Sequence, residues 1–522
     1  MKNREIDAAW AYHDGTKHSY QSIRANAHSL DWENRPLSFK IYTGLDPIAL
    51  PQQLSSTTMP ALAAISLSDA PGDVGIIPTR QTLAEILFLS AGITKRRSYP
   101  GGEMQFRAAA CTGALYHIDL HLICGELEDL SAGVYHFSPQ DFALRRLRAG
   151  DYRSVLIRAS GEEPSIAKAS CVLVCASTFW RNAWKYQARA YRHCYWDSGT
   201  ILANLLAAAA ARAVLAKVVI GFVDAEVDTL LGLDSQREAP LAMVALGESG
   251  DRVAVPLLAV DPLVLPTAPL SKQEVNYPAM QAMHEASSLQ DEKEVVAWRA
   301  QALSAAATAR NDEIAESRMF PLQPLSSVDM SQDSIDEVIL RRGSTRQFAP
   351  ESISFAQLST MLDRATRGEH GDFLHPGEPS LNELYLIVNA VDDLPSGTYL
   401  YRSAGQSLEL LKQGDFRRDA GHLGLGQEIP ADCSVNVYFL ADLPRSLERY
   451  GNRGYRAAQL EASIMGGKLY LAAYAQRLGA SGLTFFDDDV TEFFSPHAAG
   501  KSVMFLLALG KSVKRRNGLN VV

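Results

Sequence analysis

Two arginines and a serine in the second half of the chain could together bind a phosphate group. Arg342, Ser344 and Arg346 alternate in the segment RRGSTRQF, so that two guanidinium groups flank one hydroxyl. A guanidinium group suits a phosphate because it donates charge-assisted, bidentate hydrogen bonds. A second basic run, GKSVKRRN, begins at Gly510 and Lys511 after the last predicted strand. The first run alone is equally consistent with a solvated basic turn, but the two runs together predict a phosphate site.

A lysine and a tyrosine are adjacent in the segment WKYQARAYR and could transfer protons. Lys185 could accept a proton if partial desolvation lowers its pKa towards neutrality, and Tyr186 could donate one. The alternative is a surface lysine beside a packed tyrosine. The two residues are therefore candidates for general acid and base catalysis.

The histidines and cysteines do not indicate a metal site. No spacing typical of metal ligands is found among His13, His18, His193 and His497. The 6 cysteines include no CxxC pair, which indicates reduced thiols and no structural zinc. Cys111 and Cys194 are interpreted as packed thiols rather than nucleophiles.

Composition is typical of a globular protein, with 47% hydrophobic and 21% charged residues. A net charge of −9 without a basic stripe argues against a nucleic-acid partner. The apolar stretch from Thr200 to Val223 is interrupted by Arg212 and Lys217, so we predict a buried helix followed by a strand rather than a membrane span. The first residues, MKNREIDAAW, lack the apolar core of a signal peptide, and we expect a cytoplasmic protein.

An internal repeat places the candidate residues in different copies of one domain. The segment YQARAYR recurs as YGNRGYR with a spacing of 264 residues, from Tyr186 to Tyr450, and the same spacing pairs Asp224 with Asp488. A constant spacing of this length predicts two tandem domains, packed as a covalently joined pseudo-dimer. The first copy has no Arg-x-Ser-x-Arg segment, and Arg449 replaces its lysine in the second. The copies are expected to differ in function.

Helices that alternate with short strands predict an α+β fold, in which each copy is an α/β/α layered domain with a mainly antiparallel sheet. Helices are predicted over 82–92 and 355–368, and strands over 116–124, 171–178, 243–247, 381–390, 434–442 and 504–510. The first copy has 11 additional residues in the segment GITKRRSYPGGEMQF, which predicts a glycine-rich loop. The expected bounds are an N-terminal arm at 1–60, domain 1 at 61–259, a connector with helices at 260–325, and domain 2 at 326–522.

The order of these segments resembles the tandem form of the SagB/ThcOx-type dehydrogenases, which have the nitroreductase fold. The resemblance covers nearly the whole chain and rests on Arg342-x-Ser344-x-Arg346, on Gly510-Lys511, and on the segments YHDGTKHSY, LSFKIYTGL, RAAACTGALYHIDLHLI, LSAGVYHFSP and WKYQARAYRHCYWDSGTILANLL. It implies one FMN between the copies. The phosphate side would be formed by Arg342, Ser344, Arg346 and Lys511. The ring wall would include the turn with Cys111, Thr112 and Gly113, and Gln427.

The resemblance implies an FMN-dependent oxidoreductase that transfers a hydride to or from a small molecule or a modified peptide. Lys185 and Tyr186 stand where azoline-oxidising members carry a Lys-Tyr pair. Azoline oxidation and reduction with NAD(P)H as a transient electron donor both remain open, as does a further homodimer beyond the pseudo-dimer. Ala110 and Cys111 replace the usual Pro and Ser of the family's turn, which keeps a flavin-free binding scaffold as the alternative.

Overall fold

The chain consists of two copies of one architecture, a seven-stranded sheet covered by helices. The computed structural model describes residues 2–67, 76–99, 102–248, 258–304, 318–368, 371–374 and 379–513. The strands are β1 Pro47–Ala49, β2 Ile93–Tyr99, β3 Gly102–Arg107, β4 Ile118–Cys124, β5 Gly133–Ser138, β6 Ala143–Ala149, β7 Ala169–Thr178, β8 Ala216–Val219, β9 Glu238–Glu248, β10 Met319–Pro321, β11 Ile353–Ser354, β12 Asn382–Val388, β13 Val391–Asp392, β14 Gly397–Arg402, β15 Ser407–Gln413, β16 Val435–Ala441, β17 Gly479–Leu483 and β18 Ser502–Gly510.

The helices show the same duplication, and the predicted helices over 82–92 and 355–368 are present as α4 and α13. The α-helices are α1 Asp7–Gly15, α2 Tyr20–Ala25, α3 Ala61–Ala64, α4 Arg80–Ala91, α5 Arg153–Ala159, α6 Pro164–Lys168, α7 Phe179–Tyr186, α8 Ala190–Ala210, α9 Asp224–Leu231, α10 Pro278–Ala286, α11 Glu292–Ser304, α12 Ile335–Arg341, α13 Phe355–Ala365, α14 Arg417–Leu423, α15 Glu428–Asp432, α16 Leu443–Tyr450, α17 Arg453–Ala475 and α18 Asp487–Phe494. Short 3-10 helices lie at Lys2–Arg4, Trp32–Asn34, Thr112–Ala114 and Gln187–Arg189.

The two sheets have the same strand order and register. The first runs β1-β6-β5-β4-β7-β9-β8 and the second β10-β15-β14-β12-β16-β18-β17, with antiparallel neighbours throughout. Leu120 pairs with Cys175 in the first sheet, and Leu384 pairs with Phe439 in the second. Each of the second pair lies 264 residues after its counterpart, so the predicted duplication is confirmed at the level of single residues.

The longest helices of the copies, α8 and α17, pack against each other at the centre of the molecule. A Cβ atom added to Gly199 would lie 1.9 Å from the Oγ of Ser463, and Ser463 Oγ donates a hydrogen bond to Tyr195 O. Gly199 and Ser463 are equivalent positions of the repeat, so the axis that relates the copies passes between them. Small residues allow this close approach. The predicted buried helix followed by a strand, from Thr200 onward, is confirmed by α8 and β8.

The predicted arm and connector are themselves copies of each other. In α1, His13 O accepts a hydrogen bond from Arg192 Nη2 at 2.7 Å, and in α10, His284 O accepts one from Arg456 Nη2 at the same distance. Both helices have 9 residues, and their spacing is 271. The repeat therefore includes these segments, and we define the first copy as residues 2–248 and the second copy as residues 278–513.

The predicted glycine-rich loop of the first copy is wrong, because the segment forms a β-hairpin. Strands β2 and β3 pair in antiparallel fashion from Ile93 with Arg107 to Tyr99 with Gly102, as a separate two-stranded sheet. Most of the hairpin is exposed on both faces. A strand without a buried face carries no alternation of apolar and polar residues, which is the pattern that would have predicted it.

Buried ion pairs cross the boundary between the copies. Arg189 and Arg192 of the first copy bind Asp487 of the second, and Arg453 and Arg456 of the second bind Asp224 of the first. Asp487 is therefore the structural counterpart of Asp224. The predicted equivalence of Asp224 and Asp488 is wrong by one residue, because the spacing is 263 at this point of the repeat. No helix among the described residues is long and apolar enough to span a bilayer.

Candidate functional site

The Arg-x-Ser-x-Arg segment lies at the boundary between the copies, directly after α12. A capping box of Ser334 and Glu337 begins this helix, and Arg342 ends it with an extended backbone. The Nε atom of Arg342 donates a hydrogen bond across the boundary to Ala108 O at 2.9 Å. Burial lowers the pKa of the Arg342 guanidinium, which also lies 5.7 Å from the centroid of the Tyr470 ring. The sequence of the second copy thus places a desolvated cation against the first copy.

The neighbouring residues keep the segment in place. Ser344 Oγ lies 3.3 Å from the Tyr470 hydroxyl, and Thr345 N donates to Ala480 O in β17 at 2.8 Å. The side chain of Lys511 points to Glu351, with 3.2 Å between Nζ and Oε2, whereas Ser512 Oγ lies 3.1 Å from Thr345 Oγ1. Lys514, Arg515 and Arg516 of the same basic run lie outside the described residues.

The turn predicted as a ring wall is organised by a carboxylate that the sequence did not single out. Asp197, in α8 and 3% exposed, accepts hydrogen bonds from Thr112 N, Thr112 Oγ1 and Cys111 Sγ at 2.9, 2.8 and 3.0 Å. His117 Nε2 lies 2.9 Å from the same carboxylate. The donors of Cys111 and Thr112 are therefore directed to Asp197, and these two residues shape the turn.

Gly113 is the member of the turn that faces the candidate catalytic pair. Its φ angle is +60°, and an added Cβ atom would lie 2.8 Å from the Tyr186 hydroxyl. Both properties favour glycine, because a side chain would be strained and would displace the tyrosine. Behind the turn, Asn182 Nδ2 donates to Thr112 Oγ1, and His193 Nδ1 lies 2.8 Å from Asn182 Oδ1. The His193 ring packs edge-on against Tyr186 at 4.5 Å.

Lys185 and Tyr186 end α7 and lie beside the Arg-x-Ser-x-Arg segment of the other copy. The side chain of Lys185 is exposed, and its pKa is lowered by partial desolvation and by the Arg346 guanidinium. Burial raises the pKa of Tyr186, and the nearby Asp197 and Cys111 add to the increase. The lysine ammonium lies 5.2 Å from the centroid of the tyrosine ring. The structure therefore brings the predicted proton-transfer pair and the predicted anion site together.

The two arginines of the Arg-x-Ser-x-Arg segment, Arg342 and Arg346, have no carboxylate partner among the described residues, unlike the other arginines at the boundary. Arg189, Arg192, Arg453 and Arg456 are each paired with an aspartate. Among the residues that the structure describes, no carboxylate lies within 4.0 Å of the guanidinium of Arg342 or Arg346. Positive charge that no carboxylate balances attracts anions.

A loop after β17 brings further residues to this region. Thr484 Oγ1 lies 3.2 Å from His18 Nδ1 of the N-terminal segment, and the Phe485 ring lies 5.8 Å from Trp196. Neither Thr484 nor Phe485 belongs to a motif, so the sequence offered no signal for them. Gln427 stands before α15, and its Nε2 donates to Gly424 O at 2.7 Å. Its role as a ring contact stays a prediction.

The space beside Tyr450, the second copy's counterpart of Tyr186, is filled by Trp298 of α11. This indole is 2% exposed and donates from Nε1 to Tyr450 O at 3.1 Å. Its ring lies 5.4 Å from the Tyr450 ring, and a Cβ atom on Gly221 would approach it to 2.9 Å. Tyr450 corresponds to Tyr186 in the repeat. The tryptophan therefore occupies the second copy's counterpart of the space beside Tyr186.

Comparison with known proteins identifies the family. The sequence model of the Nitroreductase family matches residues 93–248 and 339–511, which is one segment in each copy. The chain belongs to the nitroreductase family. The predicted recognition of tandem nitroreductase-like domains and the predicted α+β fold are both confirmed. The matched segments include the turn at Gly113, Lys185 and Tyr186 in the first copy, and Arg342 to Lys511 in the second.

Solved and curated nitroreductase-family proteins are similar to different extents of the chain. A structure from Anabaena variabilis named "putative nitroreductase" superposes with a TM-score of 0.75 at 23% identity, over 97% of this chain and 99% of that one. The "Putative nitroreductase" of Methanocaldococcus jannaschii is 24% identical over 169 residues, covering 31% of this chain and 85% of that protein. The microcin B17-processing protein McbC of Escherichia coli is 29% identical over 161 residues, covering 30% of this chain and 56% of McbC. The residues that the structure describes thus have the nitroreductase fold, and the chain spans little more than half of McbC.

Proposed function

We propose that the chain is an FMN-dependent oxidoreductase that holds one flavin between its two copies. The observation that carries this proposal is the positive charge of Arg342 and Arg346, which no described carboxylate balances. A flavin phosphate would compensate these charges through charge-assisted hydrogen bonds, and Ser344 would add a hydroxyl donor. Arg342 already bridges to Ala108 of the first copy, so a phosphate bound here would lie at the boundary.

The first copy supports this proposal with a narrow wall beside Tyr186. Gly113 presents backbone without a side chain, and the carboxylate of Asp197 fixes the turn from behind. On the adjoining side, the buried rings of Phe485 and Trp196 pack against each other and support this region from behind. A planar ring suits such a wall, because a turn without a side chain at Gly113 allows close approach.

Proton transfer in the proposed reaction belongs to Lys185 and Tyr186. When bound, FMN supplies a hydride acceptor or donor. Desolvation and the Arg346 guanidinium lower the pKa of Lys185, which is the direction that a base requires, and its amine would take the proton that a dehydrogenation releases. The raised pKa of Tyr186 keeps its hydroxyl protonated and available as a donor. The pair can therefore act in either direction of electron flow.

We propose one flavin for each chain because the equivalent position beside Tyr450 lacks both an arginine pair for the phosphate and space for the ring. The first copy has no Arg-x-Ser-x-Arg segment, and the Trp298 indole fills the space between Tyr450 and Gly221. A ring bound at the equivalent place on that side would meet the Trp298 indole.

The similarity to McbC favours a substrate carried on a peptide, as that protein is named for the processing of microcin B17. The reaction we propose on this ground is oxidation of an azoline ring, in which Lys185 takes a proton. Reduction of a small molecule, with NAD(P)H as a transient donor, is the second candidate and is favoured by the similarity to the archaeal protein named as a nitroreductase.

The cofactor proposal is tested by purifying the full chain and recording its visible absorbance. Flavin bands are expected, and heat should release up to one FMN for each chain. FMN should bind more tightly than riboflavin, which lacks the phosphate. A protein that takes up neither flavin would support the flavin-free scaffold instead, and a value near two would show a second phosphate site in the first copy.

A further inference from the structure

A cleft of about 460 Å³ lies in the first copy between the N-terminal segment and the β2–β3 hairpin. One wall is formed by residues 35–41 and the other by residues of the hairpin, among them Tyr99 and Met104. Its size is within the range of small-molecule sites, which is roughly 300–1,000 Å³. The hairpin that forms this wall is the insertion specific to the first copy.

The cleft ends at the turn that also faces the candidate catalytic pair. Gly113, Ala114 and Tyr116 line its inner end. The Tyr186 hydroxyl lies 2.8 Å from the position of a Cβ atom added to the same Gly113, and Tyr186 itself does not line the cleft. A molecule in the cleft would therefore approach the proposed flavin site from the side of the first copy.

The charges that line the cleft are mainly positive. Arg107 is 5% exposed at its inner end, where its guanidinium lies between the Phe39 and Tyr116 rings at 5.1 and 5.0 Å and its Nη2 donates to Ser38 O. Burial lowers the pKa of Arg107 to about 10, so it stays cationic at neutral pH. Arg35 adds a second, exposed guanidinium.

Among the described residues that line the cleft, Glu103 is the one carboxylate, and it is already engaged. Glu103 Oε1 accepts from Arg96 Nη1 at 3.0 Å and from Gln105 Nε2 at 2.9 Å. Asp119, the carboxylate that acts most on Arg107, binds Arg181 through both oxygens. A net positive charge is left facing the cleft.

The walls and rim of the cleft also carry exposed apolar side chains. Exposed fractions are large for Leu37, Tyr99 and Met104, at 41%, 51% and 40%, and Trp32 beside Arg35 is 65% exposed. Exposed apolar side chains that cluster around a concave site indicate a ligand that covers them. The matching ligand carries one negative charge and an aromatic or aliphatic body.

We propose that this cleft is the substrate-recognition site of the enzyme and that it selects an organic carboxylate with an apolar body. This inference rests on the proposed function, because it takes the flavin site beyond Gly113 as the place of reaction. The carboxylate would be drawn by Arg35 and Arg107, while the apolar body packs against the hairpin. It can belong to a free acid or to an acidic side chain within a peptide.

The test is calorimetric titration of the FMN-loaded full chain with matched probes. N-acetylphenylalanine represents a free acid and its amide is the neutral control, while N-acetyl-Glu-Phe-amide and N-acetyl-Gln-Phe-amide form the same pair for an acidic side chain. In at least one pair, the carboxylate should bind about tenfold more tightly than its neutral partner. The pair with the larger preference identifies the source of the carboxylate.

Two variants and one control locate the effect. Arg35→Gln should remove most of the preference for the carboxylate, and Met104→Glu, which adds a negative charge in the cleft, should reverse it. Arg24→Gln makes the same change of charge on α2, outside the cleft, and should leave the preference unchanged. Equal binding within both pairs, or equal effects of Arg35→Gln and Arg24→Gln, would overturn the proposal.

Flavin content and the flavin spectrum separate this inference from the proposed function. Saturation with the preferred probe should shift the absorbance of bound FMN, because the cleft and the ring site share the turn at Gly113. Binding that leaves the spectrum unchanged would refute the role in substrate recognition. Selective binding of carboxylates by a chain that takes up no FMN would overturn the flavin proposal and show the cleft to be a ligand site of another kind.

Discussion

Arg192 and Asp487 form a buried ion pair across the boundary between the two copies, with 2.6 Å between Nη1 and Oδ1. Asp487 also binds Arg189 and accepts a hydrogen bond from His18 N, so three segments meet at one carboxylate. This residue lies directly after the loop with Phe485, and the pairing therefore fixes the boundary beside the proposed flavin site.

Loss of the Asp487 carboxylate should strongly destabilise the fold. Asp487→Asn would leave two buried arginines without a carboxylate to balance their charge, and breaking a buried pair usually costs about 3–5 kcal/mol. Urea denaturation would measure the free energy of unfolding. Asp488→Asn is the matched control, because the side chain of Asp488 is 73% exposed and its ion pair with Lys17 lies at the surface. Similar losses in both variants would contradict the cross-boundary role.

The same pairs predict a loss of stability in acid. The arginines lower the pKa of Asp487 and that of Asp224 from 3.8 to about 2, against the opposing effect of burial. A carboxyl whose pKa is lowered by folding stabilises the protein fully above pH 4 and loses this contribution as the pH falls towards 2. The effect is on the order of 2 kcal/mol for each carboxyl. The stability difference between wild type and Asp487→Asn should therefore narrow between pH 4 and pH 2, as measured by urea denaturation at each pH.

Removal of either phosphate anchor should weaken FMN binding by about one to two powers of ten, the scale of one charge-assisted contact. The variants are Arg342→Ala and Arg346→Ala, measured by titration of the flavin-free protein with FMN. Riboflavin affinity should change little, because riboflavin has no phosphate to lose contact with. Arg449→Ala, at the second copy's counterpart of Lys185, is the control. If it weakens FMN binding equally, the single-site proposal is wrong.

Lys185→Ala should retain FMN and lose turnover. The proposed phosphate anchors lie in the other copy, so cofactor content should be unchanged, while loss of a general acid or base usually lowers the rate by about 10²–10⁴. Chemical reduction of bound flavin by dithionite requires no positioned base and should proceed as in wild type. Full activity of Lys185→Ala on the native substrate would return this lysine to a surface role.

Trp298→Ala should destabilise the protein without creating a second flavin site. Truncation of a buried aromatic side chain usually costs about 3–5 kcal/mol. Flavin content should stay at one for each chain, because the first copy still lacks the arginine pair. Trp32→Ala, at a side chain that is 65% exposed, should change stability by no more than about 0.5 kcal/mol. Thermal unfolding and heat-released flavin measure both effects.

Features that depend on neighbouring residues could be predicted from the sequence. The Arg-x-Ser-x-Arg segment and the Lys185-Tyr186 pair are local, and buried strands such as β7 stand out as continuous apolar runs. The repeat was visible wherever equivalent segments keep a spacing of 264. The sequence does not reveal the equivalence of α1 and α10, because their spacing is 271 residues and few of their residues are identical. His13 and His284 are one of the identical pairs.

Features that depend on distant contacts could not be predicted. Asp197 lies in a helix and belongs to no motif, and its role arises when α8 packs behind the turn at Thr112. Trp298 is an ordinary helical residue in the sequence, and its place beside Tyr450 follows from the packing of α11. The hairpin was missed because its exposed strands bury too little apolar surface to leave a periodic pattern.

Trp298 also shows what fusion of the two copies permits. In an assembly of two identical chains, each substitution appears in both binding sites, so a tryptophan that blocked one would block the other and abolish activity. When both copies are encoded in one gene, a change can be confined to a single side. If the chain binds one flavin as proposed, the position beside Tyr450 is available for the hydrophobic core, and selection on the flavin site is no longer tied to it.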